Sequence, residues 1–173
     1  MNTTPVNIVL ASNENYLPGL IVSLFSMLYN SDKSRSLNVY VLDGDIKDES
    51  WEQINSKTKY IFKKVTLVRV PKDGSKLGGF KKDYGNSIMA YVRLLIPDLI
   101  PENKVVYVDS DIYWGKDICE LFDIDLKGNS IAAVISPWTN KLKMDCEPFI
   151  KEYSLDPEAP YFNSGVLLID IEN

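Results

Sequence analysis

Asp109 and Asp111 stand one residue apart, directly after the apolar run Val105–Val108. Two carboxylates at that spacing, just past a buried strand, can turn toward one hard cation that keeps open positions for substrate phosphates. The chain has no histidine and two cysteines, Cys119 and Cys146. This excludes an imidazole base, a Ser-His-Asp triad and a zinc site of His or Cys ligands. An all-oxygen Mg2+ or Mn2+ site is the kind this residue set favours. Standing alone, such a pair is more often a solvated turn. Two other polar clusters accompany it: Asn13-Glu14-Asn15-Tyr16 after the first apolar run, and the segment ahead of the last one. Open parallel sheets bind their ligands beyond the carboxyl ends of the strands, where such clusters would lie.

The elements that must position these residues follow from apolar spacing. Val6–Ala11, Leu37–Leu42, Val65–Val70, Lys104–Val108, Ser130–Ile135 and Gly165–Ile171 read as strands, the first and last as fully buried ones. Leu17, Leu20, Ile21, Leu24, Phe25 and Leu28 mark a helix with a broad apolar face, with Pro18 in its first turn. A second helix is predicted over Asp48–Phe62 with Trp51, Ile54 and Ile61 inward. A third, capped by Asn86 or Ser87, carries the stripe Ile88, Val92, Leu95, Leu99 and is limited by Pro97 and Pro101. A short helical piece is expected around Asp117–Phe122. The lysine- and glycine-rich stretch Lys72–Gly85 reads as a mobile loop. Strands alternating with helices predict an α/β fold with a largely parallel sheet.

At 173 residues the chain suits one domain, 1–173, with no internal repeat or linker. Its 19 Lys plus Arg against 24 Asp plus Glu give a net charge of -5, which argues against a nucleic-acid partner. No targeting segment or membrane span is visible, so a cytoplasmic location is expected, with peripheral association at the inner face of the membrane as a variant of it. The two cysteines read as free thiols of a reducing compartment, with a single disulfide as the alternative.

Four blocks together resemble the family 8 glycosyltransferases, which include the glycogenins and the bacterial lipopolysaccharide galactosyl- and glucosyltransferases. They are Ile8-Val-Leu-Ala-Ser-Asn-Glu-Asn-Tyr16, Ala90-Tyr-Val-Arg-Leu-Leu-Ile-Pro97, Val105-Val-Tyr-Val-Asp-Ser-Asp-Ile112 with Leu121-Phe122 downstream, and Tyr161-Phe-Asn-Ser-Gly-Val-Leu-Leu168. They occur in the family's order and spacing and cover essentially the whole chain. The resemblance implies a GT-A fold, a Rossmann-like sheet binding a nucleotide-diphospho-sugar. It also implies transfer of a hexose from UDP-glucose or UDP-galactose with retention of configuration, assisted by Mn2+ or Mg2+. The acceptor would be a carbohydrate, glycolipid or protein, as in lipopolysaccharide or polysaccharide biosynthesis.

By the same resemblance Ala11, Asn13, Asn15 and Tyr16 hold the uridine, with Tyr16 stacking on the base. Asn13 stands where many members have Asp, its amide accepting from the uracil N3–H. Arg93 reaches the donor sugar or its phosphate, Asp109 and Asp111 ligate the metal, the Ser110 backbone lines the ribose, and Asn163 and Ser164 contact the donor sugar. Structural roles stay open for some of them: Tyr16 packing at a helix start, Arg93 in an ion pair, Asn163 capping a loop. Ser136 replaces an Asp that the family often places on the donor sugar. The family's later blocks, including a His that completes the metal site, do not occur in the sequence. The chain is therefore expected to be the N-terminal portion of the fold, lacking its C-terminal part, with weak binding and poor or no transfer. Self-association through exposed apolar surface is a further expectation. A nucleotide-sugar-binding module without turnover is the alternative. A sugar-1-phosphate nucleotidyltransferase, a haloacid-dehalogenase-type phosphatase and a dehydrogenase fit less well, for want of their glycine-rich or D-x-D-x-T/V signatures.

Overall fold

The computed structural model describes residues 4–71, 89–144 and 146–172. The Lys72–Gly85 loop, the Asn86/Ser87 cap and Ile88 lie outside the described residues. The described residues hold six strands: β1 (Val6–Ser12), β2 (Leu37–Asp43), β3 (Val65–Pro71), β4 (Lys104–Asp109), β5 (Ile131–Ile135) and β6 (Phe162–Asp170). They form one sheet in the order β3-β2-β1-β4-β6-β5. β1 pairs in parallel with β2 and with β4, and β2 with β3. The chain thus builds outward from β1 to β3, then returns to lay β4 on the other side of β1. That reversal opens a crevice at the carboxyl ends of β1 and β4.

The last strand departs from the expected pattern. β6 runs antiparallel to both β4 and β5, so its first residues, Phe162, Asn163 and Ser164, lie at the same end of the sheet as the carboxyl end of β4. It is also not fully buried. Gly165, Leu167 and Leu168 are covered, whereas Phe162–Ser164 are exposed. An apolar run gives no strand direction, and its alternation is the same read either way.

Helices cover both faces. α1 (Leu17–Asn30), α2 (Asp48–Ile61) and α5 (Ile118–Phe122) pack on one, around Ile8, Leu10, Leu24, Val39, Val41 and Val106. On the other face, Val9, Tyr40, Val105 and Tyr107 pack against Val92, Leu95 and Ile96. The helical segment that supplies these three is broken into α3 (Met89–Val92), a 3-10 turn (Arg93–Leu95) and α4 (Ile96–Leu99), where one helix was expected. Pro97 explains the break. It has no N–H for the carbonyl of Arg93, four residues earlier, and that carbonyl instead accepts from the Ile96 N–H, three residues on. A further helix, α6 (Glu147–Tyr153), was not anticipated. Cys119 and Cys146 are both free, as read from the sequence.

Candidate nucleotide and metal site

A cavity of about 250 Å3 sits in the crevice. It is lined by Ala11, Ser12, Asn13 and Tyr16 at and after β1, by Met89, Ala90 and Arg93, and by Tyr107, Asp109, Ser110 and Asp111 at and after β4. Of the residues singled out by sequence, Ala11, Asn13, Tyr16, Arg93, Asp109, Ser110 and Asp111 therefore meet in one place. Asn15 lies outside the lining, as do Asn163, Ser164 and Ser136.

The local folding of each side chain is specific. After β1 the Asn13 side-chain oxygen accepts the backbone N–H groups of Asn15 (3.0 Å) and Tyr16 (3.2 Å), closing the 3-10 turn that starts α1. A carbonyl oxygen has two lone pairs, so both are taken, and what Asn13 still offers is its amide nitrogen. The expected bond from a uracil N3–H to this oxygen is not available in this geometry. Glu14 is a brace: its carboxylate accepts from the Lys47 N–H (2.9 Å) and the Ser50 hydroxyl (3.0 Å) at the start of α2, and the Lys47 bond leads the causes that hold its pKa low. Tyr16 is 52% exposed and lines the cavity. Across the cavity, Gly19 lets α1 approach the loop after β4, since a Cβ there would sit 2.8 Å from the Ser110 carbonyl oxygen.

Arg93 is held on every nitrogen. Its Nε donates to the Ala90 carbonyl at 2.9 Å, Nη1 to the Ser164 carbonyl and hydroxyl, and Nη2 to Asp109 Oδ1 at 2.9 Å. In this state the guanidinium is ion-paired with Asp109 and hydrogen-bonded to Ser164. Asn163 likewise closes a turn, accepting from the Gly165 N–H at 2.8 Å. The Ser136 hydroxyl accepts from the Thr139 N–H at 3.3 Å.

The two aspartates differ. Asp109 is partly buried at the end of β4, and burial pushes its carboxyl pKa up. Its hydrogen bond from Tyr107 and the Arg93 charge oppose the rise, while Asp111 adds to it. Asp111 is exposed and, among the described residues, has no hydrogen bond or ion pair. A pair of carboxylates, one of them free, fits Mg2+ or Mn2+, ions commonly bound through one or two carboxylates plus substrate phosphates. No group of three or more His, Cys, Asp or Glu gathers among the described residues.

Sequence reading missed Ser12, Met89, Ala90 and Tyr107 in the lining. Only Tyr107 carried a signal: a phenol inside an otherwise aliphatic buried strand.

A mixed six-stranded sheet, parallel from β3 to β4 and antiparallel at β6 and β5, with a crevice between β1 and β4 that holds two carboxylates, is an α/β fold of the GT-A type. Solved structures agree on the fold. The galactosyltransferase LgtC, in complex with donor and acceptor sugar analogues, superposes with a TM-score of 0.80 at 24% identity, over 96% of this chain and 58% of that one. The bifunctional glycosyltransferase WbbM gives 0.80 at 22% identity, over 99% of this chain and 33% of that one. The chain belongs to glycosyl transferase family 8, whose model matches residues 7–173. Among curated relatives, general stress protein A of Bacillus subtilis is 28% identical over 97% of this chain and 57% of its own length. A putative glycosyltransferase of Haemophilus influenzae is 31% identical over 96% and 48%. The chain thus spans about half the length of these two relatives.

Proposed function

We propose that this chain is the donor-binding portion of a retaining hexosyltransferase that takes UDP-glucose or UDP-galactose with Mn2+ or Mg2+. The observation that carries the reading is the meeting of Asp109 and Asp111 with Asn13 and Tyr16 in one cavity across the β1–β4 crevice. Tyr16, half exposed in the lining, stacks on the base, a contact that tolerates any π-face. Ala11 and Asn13 border the uracil edge, Asn15 flanks it, and the Ser110 backbone lines the ribose. Asp111, and Asp109 through one oxygen, hold the cation at the diphosphate, with Asn163 and Ser164 toward the hexose. Breaking the sugar–diphosphate bond puts negative charge on the leaving UDP, and a divalent cation bound there would stabilise it. No strong base is required for that departure, which suits a chain without histidine. Arg93 orients Asp109 and Ser164 until a donor competes for its guanidinium. The acceptor is a carbohydrate, a glycolipid or a protein.

The test is release of UDP from UDP-glucose and UDP-galactose in Mn2+. Turnover lost in Asp111→Asn and in EDTA supports a transferase domain. Turnover that persists in both contradicts it. The second reading is a nucleotide-sugar-binding module without turnover. It predicts donor binding with no UDP release.

A further inference from the structure

We propose that Tyr107 is a positioning residue for the Asp109 carboxylate. Tyr107 lies on β4 with 1% of its surface exposed, inside the cluster formed by Val9, Ile96, Val105 and Leu167. A phenylalanine would fill that space equally well, and burying a hydroxyl is unfavourable unless it is hydrogen-bonded. Its hydroxyl makes one hydrogen bond among the described residues, donating to Asp109 Oδ1 at 2.7 Å. Arg93 Nη2 donates to the same oxygen at 2.9 Å, and the Arg93 guanidinium carbon lies 4.7 Å from the centre of the Tyr107 ring. Oδ1 is therefore filled by two donors, and the carboxylate plane is fixed.

The other oxygen is defined by a missing side chain. A Cβ on Gly165 would come within 2.9 Å of Asp109 Oδ2, so glycine leaves room for this carboxylate orientation and no other residue does so without displacement. Asp109 is thus held at Oδ1 by Tyr107 and Arg93, with Oδ2 against Gly165, and two residues on is the exposed Asp111, which has no hydrogen bond or ion pair among the described residues. The inference rests on the reading that these carboxylates hold a divalent cation. Without the hydroxyl, Oδ1 keeps only the Arg93 bond and the carboxylate is held less firmly, and loss of such outer partners typically costs 10–100-fold in metal affinity.

The experiment is a Mn2+ titration of the full chain in the presence of UDP, following the free-ion EPR signal, on wild type, Tyr107→Phe and Val106→Ala. Val106 is buried on the opposite face of β4, so its truncation lowers stability without touching Asp109. Tyr107→Phe is expected to weaken Mn2+ binding about tenfold or more with little change in Tm. Val106→Ala is expected to lower Tm and leave Mn2+ binding unchanged. Wild-type affinity in Tyr107→Phe, or an equal loss of affinity in Val106→Ala, overturns the proposal. Failure of the underlying reading looks different: wild type takes up no Mn2+ and Asp111→Asn changes nothing, and both ideas then fall together.

Discussion

Asn13 commits its carbonyl oxygen to the backbone of Asn15 and Tyr16, and that choice decides what it can recognise. An amide whose oxygen is full presents donors only, whereas a carboxylate at the same place caps the turn with one oxygen and keeps the other as an acceptor. Asn13→Asp should therefore tighten UDP binding about tenfold by supplying a charged acceptor to the uracil N3–H. Calorimetric titration of both variants checks this, and an unchanged or weaker affinity would count against the base lying there. Spacing placed Asp109 and Asp111 after a strand and Asn13 before a helix, and the resemblance of the four blocks to the family supplied the roles of these and the other site residues. Their pairings were not legible in the sequence. Arg93 meets Ser164 across 71 residues, a contact no local pattern encodes. For the same reason the sequence did not show how fully the chain engages Arg93, which is expected there to reach the donor or to sit in an ion pair.

At the scale of elements, the close approach of α1 to the loop after β4 keeps the crevice narrow. Gly19→Ala raises helix propensity by about 1 kcal/mol, but it drives a methyl to 2.8 Å from the Ser110 carbonyl. Overpacking of that kind costs roughly 1–3 kcal/mol, so a net loss of about 1 kcal/mol is expected, or roughly 2–4 °C in Tm for a chain this size. A Tm at or above wild type would show that the helix moves away freely. Between β5 and β6, Glu158 bonds Lys141 and Lys143, each at 2.5 Å, and those two bonds pull its pKa from 4.5 to about 2. A depressed carboxyl contributes stability that is present above the unfolded value and lost as pH falls toward the folded one. The Tm gap between wild type and Glu158→Gln should therefore be small but open near neutral pH, close between about 4.5 and 2, and shrink in high salt because the pair is exposed. A gap independent of pH would contradict that assignment. The strands and the first two helices were legible because apolar residues recur at strand and helix periods. The direction of β6 and the break at Arg93–Leu95 were not, since one depends on partners far along the chain and the other on how Pro97 redirects a single carbonyl.

The whole molecule combines a well-covered sheet centre with a bare end. Val134, Ile135 and Trp138 are 70%, 53% and 88% exposed at and just after β5, the edge farthest from β3. An apolar edge of this kind predicts self-association at high concentration, measurable by sedimentation; a monodisperse monomer would contradict it. Among the described residues no helix is long and apolar enough to cross a membrane. The fold class was legible because alternation of strands and helices fixes an α/β sheet before any side-chain contact is known. The central claim is that the β1–β4 crevice binds a nucleotide through a cation on Asp111. Its most direct test is calorimetric titration of UDP into the chain in Mn2+ and in EDTA, for wild type and Asp111→Asn. The account predicts binding in Mn2+ that disappears with EDTA and in the variant. Binding that survives either change, or no binding to wild type at all, would contradict it.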